Sequence, residues 1–191
     1  MFERARRFVS VVLGEGGAAA ADPDDLFNVS TGYVTLGANG FDSVDRAGLC
    51  FTRVDTVDFD RVVDDIEDLL AVDAEGPEEV SEVTEDDYGY TWVLLEDPDF
   101  ESLVTAVHMV ADTLIEEGYE RYLLCAVFAF ERDAEVYLIY NFKRGRWYPF
   151  VPVAQGRRDE DVERELADLV DGVFAVETDE DRQYALWGIP F

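Results

Sequence analysis

The most constraining feature of the sequence is an uninterrupted apolar run, YLLCAVFAF, at residues 122–130. A strand with one face in water alternates apolar and polar residues, so a continuous run predicts a central strand that is buried on both faces. Two further strands follow, AEVYLIYNF at 134–142 and WYPFVPV at 147–153, joined by the turn KRGR with Gly145 as its turn residue. We therefore expect a sheet that is built largely from hairpins.

The N-terminal half supplies candidates for the remaining strands. GYVTLGA at 32–38 and AGLCFTRV at 47–54 predict two strands on either side of a short loop. The stretch 78–97 predicts one long strand or a hairpin that turns near Asp87. These segments bring the expected sheet to about five or six strands.

Three segments carry apolar residues at helical spacing, at 58–72, about 99–117 and 159–173. Their other faces are rich in Asp and Glu, which indicates solvated helix surfaces rather than sites. The last residues, YALWGIPF at 184–191, are apolar enough to dock on the body. Hairpins interrupted by helices predict an α+β fold, with an antiparallel sheet of about five or six strands covered by helices in a single domain, residues 22–191.

Residues 1–21 precede this domain and predict a short amphipathic helix followed by a Gly/Ala linker. Positive charge at Arg4, Arg6 and Arg7 next to Phe8 indicates an anchor that touches a membrane or a partner. The alternative is that this helix packs on the sheet as part of the core. The apolar stretch that follows is too short for a secretory signal or a membrane span, so we expect a cytoplasmic protein.

The charge balance restricts the partners of the chain. The sequence has 44 Asp and Glu against 15 Lys and Arg, a formal net charge of -29. It would therefore repel the phosphates of nucleic acid over most of its surface. A hydrophobic content of 48% separates it from disordered acidic tails. Because Lys143 is the only lysine, the composition is typical of an acidic, halophilic protein from a high-salt cytoplasm.

Motifs that carry chemistry are weak in this sequence. His108 is the only histidine, at the edge of an apolar helix face, and neither a G-x-S-x-G motif nor a phosphate-binding loop is present. Cys50 and Cys125 lie in apolar runs without the spacing of metal ligands, so we expect reduced core thiols. We assign no catalytic residue, no metal site and no cofactor, and leave open a hydrolase that uses His108 with a nearby carboxylate.

Residues 141–158 differ from the rest of the chain because they include five cations and no acid. Exposed arginines interleaved with aromatic side chains are typical of protein interfaces. The segment predicts a partner-binding surface made of Lys143, Arg144, Arg146, Trp147, Tyr148, Arg157 and Arg158. Neighbouring strand residues point to opposite faces, so we expect one of the two aromatic side chains to be buried and the other accessible. The alternative is that the cations form internal ion pairs with the acidic helices.

Six segments occur in a fixed order along nearly the whole chain: DPDDLFNVSTGYVTL, AGLCFTRV, DDYGYTWVLL, YLLCAVFAF, YNFKRGRWYPFVPVAQGRRD and WGIPF. Together they resemble the PspAB family of PspA-associated proteins, found in haloarchaea and actinobacteria, and the most specific part of the resemblance is Tyr140–Arg158. The resemblance implies a haloarchaeal protein that is associated with PspA, the coiled-coil membrane-stress protein, and with envelope-stress genes. It implies no catalytic residues.

The residues give no specific evidence for an enzyme, and the resemblance implies a non-enzymatic adaptor or regulatory protein. It would act by protein–protein interaction in the phage-shock-type envelope stress response of a halophile. The expected partner is PspA or another envelope-stress protein, and a homodimer and a peripheral membrane contact are left open. Two other classes remain: a small chaperone-like dimeric module that masks apolar segments, and the hydrolase that uses His108.

The acidic composition leads to a prediction about salt. Screening at high ionic strength weakens the repulsion among carboxylates, so a chain with a net charge of -29 should gain stability as salt is added. We expect the melting temperature to rise steadily with KCl concentration, which differential scanning fluorimetry measures. A melting temperature that stays flat or falls over the same series would contradict the halophilic interpretation.

Overall fold

The computed structural model describes residues 21–73 and 80–191 of the chain. The predicted N-terminal anchor lies outside these residues, and its members are Arg4, Arg6, Arg7 and Phe8. Within the described ranges the chain forms four α-helices, a six-stranded antiparallel sheet and a small two-stranded sheet. This architecture confirms the predicted α+β fold.

The strands of the large sheet are, in chain order, β1 (Asp42–Thr52), β2 (Val80–Glu85), β3 (Tyr90–Glu96), β4 (Leu123–Glu131), β5 (Glu135–Asn141) and β6 (Arg146–Phe150). They lie side by side in the order β2-β3-β1-β4-β5-β6, and every neighbouring pair is antiparallel. The apolar run is β4, an interior strand whose residues 123–130 are all buried, so that prediction is confirmed. The small sheet pairs β7 (Pro152–Ala154) with β8 (Arg157–Arg158).

The helices are α1 (Asn28–Ala38), α2 (Val57–Asp73), α3 (Phe100–Glu116) and α4 (Glu160–Val170). The last three match the predicted amphipathic segments. In α3 the local signals are clear, because the Asp99 carboxylate accepts the backbone N–H of Ser102 at 2.9 Å and Gly118 adopts a φ of 81° beyond the last turn. No helix among the described residues is long and apolar enough to cross a bilayer.

The strand predicted at 32–38 is wrong, because these residues form most of α1. Their β-branched side chains favoured a strand, but Val29, Gly32 and Leu36 are buried at the spacing of one helix face. Gly32 lies against the ring of Phe174, and a Cβ at this position would come within 2.6 Å of the ring atom Cε1. Packing on distant parts of the chain therefore overrides the local preference.

The helices cover one face of the sheet. Helix α3 lies against β1, α4 lies against β6, and α2 contacts both α3 and β2. Their apolar residues join those of the sheet in one core, where Phe51, Phe128 and Phe130 are fully buried. The predicted helical cover is confirmed.

The C-terminal tail, residues 184–191, covers the opposite face of the sheet. Leu186 is buried there, and the ring of Trp187 meets that of Phe150 edge-on at 5.0 Å between centroids. The predicted docking of the tail on the body is therefore confirmed. Because the helices bury one face of β4 and the tail lies over the other, the central strand has no face in water.

Candidate functional site

The predicted partner-binding segment is centred on the turn between β5 and β6, residues 143–146, which we call the basic turn. Asn141 closes this turn, because its carbonyl accepts the backbone N–H of Gly145 at 2.8 Å and its Oδ1 accepts that of Lys143 at 2.9 Å. Asn141 is itself buried. Gly145 has a φ of 60°, in the left-handed region that glycine favours, and lies next to Ala21. The basic turn is thus fixed at one end of the sheet.

The three cations of the basic turn have different surroundings. The Lys143 ammonium donates to the backbone carbonyl of Arg121, and burial lowers the pKa of Lys143. Arg144 pairs through Nε with the buried carboxylate of Glu177 at 2.5 Å. Arg146 is exposed, its guanidinium donates to the backbone carbonyl of Val176 at 3.2 Å, and it forms no ion pair with a carboxylate in the described ranges. Lys143 and Arg144 therefore hold the turn in place, whereas Arg146 keeps its charge at the surface.

Arg158 is an internal ion-pair residue. Its Nε lies 2.6 Å from Oε2 of Glu163 in α4, and its two Nη atoms donate to the carbonyls of Gln183 at 2.8 Å and Pro149 at 3.3 Å. Glu163 also accepts the backbone N–H of Val151 at 2.7 Å. Burial raises the pKa of Glu163, and the Val151 N–H and the Arg158 guanidinium act against that rise. Arg158 therefore ties α4 to β6 and to the segment before the tail.

The structure places the five cations of the segment in two groups. Arg157 is exposed in the small sheet, where it pairs with Ala154, and it follows Phe150 at the far end of β6. The basic turn, which ends with Arg146, lies at the other end of this strand. At roughly 3.3 Å per residue, the five residues of β6 alone separate the two groups by about 13 Å. Arg157 and Arg158 therefore do not extend the basic turn.

The expectation that one aromatic side chain of the segment is accessible is wrong. Trp147 is 1% exposed and Tyr148 is 2% exposed. They belong to cores on opposite faces of the sheet, as the alternation of strand residues requires. Trp147 packs on the helix side against Phe174, at 5.0 Å between ring centroids, while Tyr148 lies on the tail side. Since both faces are covered, neither ring is available to a partner. The partner-binding role of the cations stays a prediction.

His108 lies on the side of α3 that contacts the 3₁₀ turn Pro23–Phe27, and its side chain is 19% exposed. Its Nε2 is 3.0 Å from Oδ1 of Asp24, and its ring packs on that of Phe27 at 4.5 Å between centroids. Within the described parts of the chain, no serine or cysteine is hydrogen-bonded to the imidazole. The contact joins the 3₁₀ turn Pro23–Phe27 to α3. The carboxylate that the hydrolase hypothesis requires is thus present at Asp24, and the hypothesis stays a prediction.

A cavity of about 440 Å³ opens on the tail-covered face, and the sequence did not predict it. It lies between Trp92 of β3, Trp187 of the tail and Asp86 of the β2–β3 turn, with the buried thiol of Cys50 in its wall. Cys50 of β1 is paired with Cys125 of the neighbouring strand β4. Burial is the main cause that raises the pKa of the Cys50 thiol, and the hydrogen bond with Cys125 raises it further. The stretch 78–97, predicted as one long strand or a hairpin, forms the hairpin of β2 and β3, and the acid and aromatic residues at its turn are the sequence signal for the cavity.

The large apolar side chains that are exposed in the described ranges are spread over several elements. They are Phe27, Val34, Val57, Leu69, Val72, Tyr88 and Val153. A chaperone-like module needs one continuous apolar patch of several hundred Å². This distribution does not favour that alternative.

The structural role of Arg158 is tested by comparing its replacement with that of Arg164, which forms an exposed ion pair. Replacing Arg158 with methionine leaves Glu163, which is 5% exposed, without its cation, so we expect a loss of about 3 kcal/mol in the free energy of unfolding. Arg164→Met removes the same group from an exposed pair with Asp161 and should cost less than about 1 kcal/mol. Urea denaturation of both variants at one salt concentration measures the difference. Equal losses would show that Arg158 is not a structural ion-pair residue.

Comparison with models of known protein families finds one family that matches the chain. The family model described as PspAB, PspA associated protein B, matches residues 6–191, which is essentially the whole chain. Comparisons with curated proteins and with solved structures found no match. The fold, the basic turn and the buried ion pair of Arg158 all lie within the matched range. The chain belongs to the PspAB family of PspA-associated proteins.

Proposed function

We propose that the chain is a non-enzymatic adaptor that binds PspA, or another envelope-stress protein, through the end of the sheet that carries the basic turn. The observation that carries this proposal is the match to the PspA associated protein B family over residues 6–191. The adaptor acts in the cytoplasm of a halophile, at the periphery of the membrane, as part of a phage-shock-type stress response.

Arginines that form no ion pair with a described carboxylate favour this end of the sheet as the binding surface. Eight of the eleven arginines in the described ranges form ion pairs with described carboxylates. The other three, Arg121, Arg146 and Arg157, form none there, although the chain has 44 acidic residues. Arg121 lies beside the basic turn, because its carbonyl accepts the Lys143 ammonium. An exposed arginine without an internal carboxylate keeps its charge for a carboxylate of another molecule.

The N-terminal segment joins the described fold at the same end. Ala21 lies against Gly145, so residues 1–20 lead into the domain beside the basic turn. This segment carries the anchor residues expected from the sequence, which are Arg4, Arg6, Arg7 and Phe8. Its positive charge and apolar residues suit a membrane surface. We propose that this anchor acts together with the basic turn in the adaptor.

High salt determines which contacts hold such a complex. The Debye length is about 3 Å at 1 M salt, so separated charges contribute little and only direct contacts count. A guanidinium group forms two parallel hydrogen bonds with a carboxylate, which gives strength and orientation at short range. The partner surface should therefore present carboxylates that reach Arg121 and Arg146 directly.

Replacing Arg121 and Arg146 together with serine tests this surface. We expect the dissociation constant for purified PspA to rise about tenfold, because two solvent-exposed ion pairs of about 0.7 kcal/mol each are lost. Neither arginine forms an ion pair with a described carboxylate, so the melting temperature should change by less than about 2 °C. Isothermal titration calorimetry in multimolar KCl measures the affinity, and scanning fluorimetry measures the melting temperature.

The matched control combines Arg157→Ser with Arg164→Ser, which removes the same charge away from the basic turn. We expect this control to bind PspA as the unchanged chain does. If the control loses as much affinity for PspA as the first variant, the proposed binding surface at the basic turn is wrong. If the unchanged full-length chain shows no binding to PspA, the adaptor proposal itself is contradicted.

A further inference from the structure

The cavity on the tail-covered face has the size of a small-molecule site. Its volume is about 440 Å³, and ligand pockets commonly measure about 300–1,000 Å³. Tyr90 and Trp92 of β3 are buried and form its inner part together with Cys50 of β1. Trp187 of the tail provides another wall, and Tyr88 in the β2–β3 turn is 49% exposed at the opening. The cavity is thus deep on the sheet side and open at the turn.

Among the described residues, Asp86 is the one charged residue that lines this cavity. Its Oδ1 accepts the backbone N–H groups of Tyr88 at 2.9 Å and Tyr90 at 3.0 Å, and its Oδ2 accepts Nε1 of Trp92 at 3.0 Å. These donors are neutral, so they fix the carboxylate without cancelling its charge. Asp86 forms no ion pair with a described cation. A fixed carboxylate without a cation gives the cavity a negative potential.

Aromatic rings add to this potential, because the lining includes Tyr88, Tyr90, Trp92 and Trp187. The face of an aromatic ring is electrostatically negative and attracts a cation within about 6 Å of the ring centroid, most strongly for tryptophan. A neutral ligand gains apolar contact with the rings but no charge attraction, and an anion is repelled by the carboxylate and by the ring faces. The lining therefore selects for positive charge on an apolar body.

We propose that this cavity binds a compact quaternary ammonium compound, with its cation held by Asp86 and the surrounding aromatic rings. Such cations are weakly hydrated and lose little on entering an apolar cavity, and aromatic cages recognise them in other proteins. A metal ion fits poorly, because the described residues contain no group of three or more metal-ligating side chains. The site lies on the tail-covered face and is independent of the surface proposed for PspA.

Choline and its neutral isostere 3,3-dimethyl-1-butanol form the test pair, since they share a shape and differ in charge. The full chain is labelled with 5-fluorotryptophan, and fluorine NMR follows its three tryptophans at constant multimolar KCl. Trp147 belongs to the core on the helix side and is the internal reference. We expect choline to shift the signals of Trp92 and Trp187 saturably, leave that of Trp147 in place, and bind about tenfold more tightly than the isostere.

Three variants test whether the charge of Asp86 and the ring of Tyr88 contribute to choline binding. Asp86→Asn removes the charge and keeps an acceptor oxygen, so choline affinity should fall about tenfold while isostere affinity stays unchanged. Asp87→Asn is the matched control, because Asp87 is exposed and does not line the cavity, and it should bind choline as the unchanged chain does. Tyr88→Leu changes a half-exposed ring at the opening and should lower choline affinity about threefold.

Several outcomes would overturn the proposal. Equal affinities for choline and its isostere would show a general apolar cavity, and a shift of Trp147 alone or of no tryptophan would show that the cavity is not the site. Unchanged choline affinity in Asp86→Asn would exclude the carboxylate. If Asp86→Asn does not fold, Tyr88→Leu decides the question, because unchanged choline affinity in that variant contradicts the aromatic cage.

Discussion

Burial of β4 on both faces is the constraint on which the rest of the structure depends. Eight consecutive residues of this strand are buried, and each Å² of apolar surface left in water would cost about 25 cal/mol. The chain therefore has to provide two covers, one of helices and one of the C-terminal tail. Strands further along the sheet share these covers, which is why Trp147 and Tyr148 of β6 are both buried although they point in opposite directions.

The two covers also determine where polar chemistry can occur. Arg158 lies between α4 and β6 and is held by Glu163, so its charge is used inside the fold. Arg146 is the first residue of β6 and is exposed, so its charge stays at the surface. On the tail side, the cover leaves the cavity beside Asp86 unfilled. The proposed partner surface and the proposed ligand cavity are thus the places where the double cover ends or is incomplete.

Local patterns predict β4, the hairpins and three amphipathic helices, because the hydrophobic pattern of each can be recognised within one short stretch of sequence. Helix α1 was mispredicted because its burial depends on Phe174, which is far away in the chain. The burial of Tyr148 and the cavity depend on how the tail lies over the sheet, which no local pattern encodes. Glu163 was not recognised as the partner of Arg158, since on an acidic amphipathic helix it resembles any solvated carboxylate.

Native-state hydrogen exchange of the β4 amides tests the double cover most directly. The comparison uses the unchanged chain, Leu186→Ala, which weakens the tail cover, and Val72→Ala, whose side chain is 85% exposed on α2. A buried Leu→Ala change costs at least about 2 kcal/mol, so we expect protection of β4 to fall ~30-fold in Leu186→Ala and to stay unchanged in Val72→Ala. Protection of β4 in Leu186→Ala equal to that of the unchanged chain would contradict the account, because the tail would then contribute nothing to the burial of the central strand.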